Sequence, residues 1–331
     1  MAETPAKRQK VDCNSQAPSE IPSFEDFAPD GDVIFIVQGK TRVRVFSAVI
    51  KCASPVFAAM LKPNFKEGRA LAKSGDSPIE IPLPEDNPEE LGWICRALHC
   101  QAHTMLWKPT IPQLWSVWLL VDKYDMKDSM QLSLKLWTSK KLPTAINFQR
   151  GHDLWILTVL SIMNRDADNF KIASCELILK GTKPFKALAS NMEHDTQNAA
   201  SEGVIYRLAG ELQAIRDCAM MKAIKFVYSD LLATLRVGCT KCTETYFQAV
   251  ERELVKRTGQ PTFMEDNSRL AVVPHVVSAI KKWALESCKD YFTKCAANRR
   301  IIREQASKFP SDVIDGLCLD CFDKKDRCSE H

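Results

Sequence analysis

Cys239 and Cys242 stand two residues apart in "GCTKCTE", and Cys318 and Cys321 repeat that spacing in "GLCLDC". Cys328 and His331 add a thiol and an imidazole within the last four residues. A zinc ion prefers four such donors in a tetrahedron, and a two-residue gap lets one tight turn aim both sulfurs at a single point. Two ligand sets compete: a local one of Cys318, Cys321, Cys328 and His331, and a clasp in which Cys239 and Cys242 join Cys318 and Cys321. Either fills all four positions with protein, so the zinc it predicts is structural, and no other cofactor is required.

Other chemistry is thin. Cys95, His99 and His103 recur at intervals of four, but Cys95 belongs to an apolar helical stripe, which reads as core. Gly39-Lys40-Thr41 resembles the end of a phosphate-binding loop, yet Ile34 stands where that motif needs glycine and a strand follows where it needs a helix. No nucleophile elbow, dinucleotide fingerprint or His-Glu-x-x-His zinc motif occurs, and His152, His194 and His275 have no nucleophile motif around them. The chain is therefore read as having no catalytic residues. Arg299, Arg300, Arg303 and Lys308 crowd "NRRIIREQASKF" without an interleaved aromatic to stack bases, and read as a solvated helical face.

Composition narrows the classes further. Forty-five basic against forty-one acidic side chains leave +4 over 331 residues, too weak a field to grip nucleic acid generally. The longest apolar runs, Leu114 to Val121 and Leu154 to Met163, are too short to cross a bilayer, and the polar N-terminus lacks a signal segment. A soluble protein that is not secreted is expected. The 13 cysteines, many at helix-core positions such as Cys52 and Cys95, suit a reducing compartment.

The elements that must position these residues follow from patterning. Residues 1–29 are polar and proline-rich and read as a disordered tail, in which Lys7, Arg8 and Lys10 beside Pro5 form a nuclear import signal. From Asp32, "DVIFIVQGKTRVRVF" is a β-hairpin whose second strand alternates arginine and valine. In "AVIKCASPVFAAML" the Ser54-Pro55 pair marks where one helix ends and another begins, because serine caps a helix and proline fits its first position. A short strand at 78–83, a helix from Pro88 to about Cys100, a helix through Tyr124, a break near Asp125 and a helix to about Lys140 close an α+β domain. After residue 142 the pattern is all-helical: 154–180, a long stripe from Glu202 to about Val237 through Ile205, Leu208, Leu212, Ile215, Ala219, Phe226 and Leu231, then 242–257, and 268–287 capped by Ser268 and interrupted by Pro274.

This order resembles a BTB/POZ domain, in the form found in many fungal proteins. The residues that carry the likeness are Asp32, Val49-Ile50, Ser54, Pro55, Phe57, Met60, "NFKEG" at 64–68 and "DKYDM" at 122–126, and the cysteine-rich tail is similar to the same group. Phe46 departs from the histidine usual before the first helix, and His99-Cys100 from a Tyr-Thr-Gly turn. The expected organisation is a tail at 1–29, a BTB/POZ domain at 30–142 (a β-hairpin plus a short strand, covered by helices), and an all-α region at 143–331 with a Cys-rich end.

The resemblance implies a non-enzymatic interaction module that self-associates as a homodimer, docks on a cullin scaffold as a ubiquitin-ligase adaptor, or both. Phe57, Met60, Phe65 and Tyr124 are the expected partner-binding residues, as contacts or their immediate support, with core packing the expected role of Phe57. Localisation is read as nuclear, with cytoplasm also open. The alternative function is a nuclear DNA-associated transcriptional regulator with a zinc-stabilised C-terminus.

Overall fold

The computed structural model describes residues 27–101, 109–147, 151–181, 183–192, 199–235, 239–261, 270–286, 293–307 and 317–324. Contacts divide the chain into two compact units, residues 1–104 with 124–126, and residues 105–123 with 127–331. The chain is mostly helical with one three-stranded sheet.

In the first unit, β1 (Val33–Val37) and β2 (Thr41–Val45) form the expected hairpin, antiparallel, with Val33 opposite Val45. Gln38 and Gly39 both take positive φ, 51° and 69°, and the Lys40 N–H donates to the Val37 carbonyl at 3.1 Å. Positive φ at both central residues matches the turn's twist to that of the strands. The two expected short helices follow as α1 (Ser47–Ala53) and α2 (Pro55–Met60), then α3 (Lys66–Lys73). They supply the crossover that a parallel strand needs, and β3 (Ile79–Leu83) runs parallel to β1, giving the order β2-β1-β3.

Pro82 fits this strand because of register. The Ile79 N–H donates to the Asp32 carbonyl and the Gln38 N–H to the Leu83 carbonyl, so the odd residues of β3 bond to β1. Glu80 and Pro82 turn their backbone groups the other way, where a missing N–H breaks no bond of this sheet. Helix α4 (Pro88–Leu98) then starts with Asn87 accepting from the Glu89 and Glu90 amides, and buries Leu91, Ile94 and Cys95. Phe35, Val43, Val45, Ile50, Phe57 and Ile94 form the heart of this unit's core.

The second unit holds α5 (Ile111–Lys123) and α6 (Lys127–Asn147), the latter continuing past the expected end at Lys140 with Pro143 inside it. The expected domain boundary at 142 thus falls within a helix. Residues 154–180, read from sequence as one helical stretch, are two packed helices, α7 (Gly151–Met163) and α8 (Ala167–Lys180). Arg165 at φ 50° stops the first, and the Asp166 carboxylate caps the second by accepting from the Asn169 amide at 3.2 Å. Next come α9 (Phe185–Ser190), α10 (Ala199–Lys225), a π turn at Phe226–Asp230 and α11 (Leu231–Leu235).

The long stripe is therefore a helix with a change of phase. Its buried positions near the end are Ala219, Ala223, Val227, Leu231 and Leu235, each four apart. Four residues of α-helix turn through about 400°, so four such steps overshoot by about 160°. One extra residue in the π turn takes up about 100° of that. Two expected stripe members, Ile215 and Phe226, are only half-buried, and their neighbours Arg216 and Val227 take the interior.

The remaining elements are α12 (Thr240–Thr258), a 3₁₀ turn at Leu270–Val272, α13 (Val273–Trp283), α14 (Thr293–Ser307) and α15 (Leu319–Lys324). Pro274 lies in the first turn of α13, opening that helix instead of interrupting it, and the helix stops at Trp283, short of the expected 287. Ser268, its expected cap, lies outside the described residues. No strand occurs among the described residues of this unit, and no described helix is long and apolar enough to cross a membrane.

Candidate functional site

Ser54 joins α1 to α2 and then does more than cap. Its Oγ accepts from the Phe57 amide at 3.0 Å and donates to the Tyr124 carbonyl at 2.6 Å, with the residue fully buried. Phe57 lies within 5.1 Å of Phe35 and stacks at 4.4 Å on Tyr124. The Tyr124 hydroxyl donates to Asp86, and burial together with that carboxylate pushes its pKa well above the ordinary phenol value. Phe57 and Tyr124 are 0 % and 4 % exposed, so both are core residues, as expected for Phe57 in particular, and neither is a surface contact. Met60 is half-buried and Phe65, at the N-cap of α3, is 51 % exposed.

The entry to α1 is held from two sides. Asp32 accepts from both the amide and the hydroxyl of Ser47 at 2.6 Å. Burial raises its pKa, but these two hydrogen bonds, one from its own backbone amide and the nearby Lys51 charge together hold it below the ordinary aspartate value. The Phe46 amide donates to His99 Nε2 at 3.2 Å, and the two rings stack at 6.2 Å. Phe46 and His99, 53 residues apart in the chain, therefore touch each other. Among the described residues of the first unit, the large apolar side chains left exposed are Phe46, Val56 and Phe65, all from the α1-to-α3 stretch.

A second candidate site lies in the helical unit. Cys239 is the N-cap of α12, where its sulfur accepts from the Cys242 amide at 3.4 Å, and Cys242 occupies the first turn. Cys295 enters from the first turn of α14. The three sulfurs lie within 4.8 Å of one another, with Cys242 and Cys295 buried. Trp283 of α13 fixes the frame, donating from its indole to Thr245 Oγ1 at 3.1 Å and meeting Tyr246 edge-on at 5.3 Å. Arg299, one turn beyond Cys295, donates to the Trp283 and Glu286 carbonyls at 2.7 and 2.8 Å and to the Cys242 sulfur at 3.5 Å. Its guanidinium sits 4.2 Å above the Trp283 ring.

Three thiols so placed can bind a metal ion together. The structure joins Cys239 and Cys242 to Cys295, and not to Cys318 and Cys321 as the expected clasp has it. Cys295 has no cysteine at pair spacing among the described residues, so a search for Cys-x-x-Cys passes over it; only the packing of α14 on α13 brings it in. Cys318 and Cys321 flank Leu319 and open α15, which is anchored by Phe322 against Phe170 and under Arg207. Their expected partners Cys328 and His331 lie outside the described residues, as do Lys7, Arg8, Lys10 and His103.

The remaining readings also find their places. Cys95 is wholly buried and its thiol is pushed up to about 12 by that burial, while His99 Nδ1 sits 2.8 Å from the Cys95 carbonyl, so this pair packs. Arg299 is 7 % exposed, which removes it from the expected solvated face and leaves Arg300 and Arg303 on it. A cavity of about 360 Å³ collects His152, Asp153 and Lys183, and among the described residues its lining holds no serine, threonine or cysteine. Compared with known proteins, the chain matches no family model, none of the curated proteins and no solved structure.

Proposed function

We propose that the chain is a non-enzymatic protein-interaction adaptor of the BTB/POZ type, whose first unit self-associates, docks a cullin scaffold, or does both. The helical unit presents a second surface and carries one structural zinc. The observation that carries the docking part is the exposure of Phe46, Val56 and Phe65 on one short run of helices whose inward residues, Ile50, Phe57 and Leu61, are fully packed. Apolar side chains grouped outside a satisfied core mark contact surface, and three within one run of 20 residues support that reading. The parallel β3 and the Ser54-Pro55 junction, at the places the resemblance assigns them, support the BTB assignment.

The alternative, a DNA-associated regulator, has less behind it, since Arg299 is turned inward and the net charge is small. The deciding experiment compares the full chain with Phe65→Ser, a substitution at an exposed site. Light scattering reads self-association, and co-precipitation with purified cullin N-terminal domains reads docking. A dimer or a cullin complex that weakens about tenfold in the variant, with thermal stability unchanged, is expected. A wild-type monomer that binds no cullin overturns the proposal.

A further inference from the structure

Arg299 is a buried cation whose hydrogen-bond partners are two main-chain carbonyls and a sulfur, none of them a carboxylate. Among the described residues its Nε has no hydrogen-bond partner. A buried charge is stabilised by an opposite charge near it, and among the described residues the sulfur that Arg299 touches belongs to a cluster of three cysteines that would supply one as thiolates, beside the negative end of the α13 dipole. Three thiolates beside one guanidinium would by themselves carry an excess of two negative charges.

A divalent ion closes the sum. Three thiolates, one doubly charged cation and one guanidinium are neutral together, which is the condition a buried cluster must meet. We infer that Cys239, Cys242 and Cys295 bind a single zinc ion as thiolates, with Arg299 donating its Nη2 hydrogen to the Cys242 sulfur and balancing the charge of the metal-thiolate group.

Distance and ligand type agree. Tetrahedral zinc with sulfur at about 2.3 Å sets its ligand sulfurs about 3.8 Å apart, inside the 4.8 Å spread seen here. A set of thiolates without carboxylates selects soft and borderline ions over magnesium or calcium. Hydrogen bonds to ligating atoms orient them and tune the site, and Arg299 is fixed for that role by its two carbonyl partners and by stacking on Trp283. One tetrahedral position is left to a donor other than these three.

The zinc also explains the topology of this region. It ties the start of α12 to the start of α14, while Arg299 ties α14 to the end of α13, so three helices meet at one cluster. This inference deepens the structural-zinc part of the proposed function by assigning the ligands, and it stands apart from docking: failure to find metal would leave the cullin and self-association results untouched, and the reverse also holds.

The test uses the full chain purified under reducing conditions. Elemental analysis is expected to give about one zinc per chain, lost in Cys295→Ser and kept in Cys318→Ser and Cys321→Ser. Because a ligand variant can fail to fold, two measurements use the wild-type chain. Chelation should make three further thiols reactive towards a thiol reagent, and cobalt added to the stripped protein should give thiolate-to-cobalt absorption of the strength expected for three sulfurs. Arg299→Met should keep the cobalt spectrum's shape but weaken cobalt affinity at least tenfold. A folded, metal-free chain that gains no cobalt absorption overturns the inference, as does a Cys239–Cys242 disulfide in the freshly purified protein or zinc that follows Cys318 and Cys321.

Discussion

Ser54 shows how much a single side chain settles. The sequence alone marks it as a helix cap, and it is one, but its second bond, to the Tyr124 carbonyl, links segments far apart in the chain. Ser54→Ala should cost about 2–3 kcal/mol, from the lost cap and the buried carbonyl left unpaired, whereas Pro55→Ala should cost about 0.5–1 kcal/mol through added freedom of the unfolded chain. Urea denaturation of the two variants separates them, and equal midpoints would contradict the role given to Ser54. Asp32 adds a pH signature. Its folded pKa lies below the unfolded value, so its contribution is present above about pH 4 and is lost as pH falls through the folded value. Asp32→Asn should therefore lie well below wild type in stability at pH 7, with the gap narrowing towards about pH 3, read from unfolding midpoints at each pH. Local residues of this kind are legible in a sequence because their partners are close by. Cys295 and Arg299 are not, since each takes its meaning from α12 and α13 rather than from its own neighbours. Phe57 and Tyr124 leave contact and support open in the sequence for a related reason: an aromatic beside a helix start looks the same whether it faces out or stacks within.

At the scale of elements, periodicity carried the hairpin, the α1–α2 junction and α4 to within a residue or two, and it failed where helices change course. The halt at Arg165 rests on one left-handed residue without glycine or proline to announce it. The π turn after α10 is hidden because spacings of four are compatible with ordinary helix until several occur in succession. Its carbonyl at Val227 accepts from the buried Tyr246 hydroxyl at 2.8 Å, which makes the turn a meeting point of α10 and α12. Tyr246→Phe should cost about 1–2 kcal/mol by thermal denaturation, the toll of a buried acceptor left short. Deleting Ser229 should return the turn to α-helix and move the melting temperature by about 5 °C or less, whereas deleting Ala214 rotates everything beyond it by about 100° and should prevent folding. Similar sensitivity at both positions would refute the phase argument. Two buried arginines repeat one device at this scale: Arg216 donates to the carbonyls of Gly181 and Lys183 after α8 and lies 4.3 Å over Phe185, as Arg299 does after α13. A cation placed on a helix's last carbonyls complements the negative end of its dipole.

For the molecule as a whole, the broad plan of strands first and helices after is written in the order of patterns, but the partition into compact units is not. It depends on which helices bury which faces, and the contacts return Tyr124–Met126 to the first unit while placing α5 and α6 in the second. Removing residues 1–12 should leave the melting curve of both units in place and shift a fluorescent fusion out of the nucleus; an unchanged distribution in cells would dismiss the import signal. Pro82 bears on a different matter, the protein's behaviour at high concentration. Among the described residues strand β3 is a sheet edge, and its outward row of donors has a gap at the proline. A further strand laid along that edge would find one rung of its ladder missing, which is how natural sheets discourage recruitment into larger stacks. Replacing Pro82 by a residue with an amide hydrogen would complete the row, and the consequence to expect is not a loss of fold but a tendency of intact, folded chains to add edge to edge.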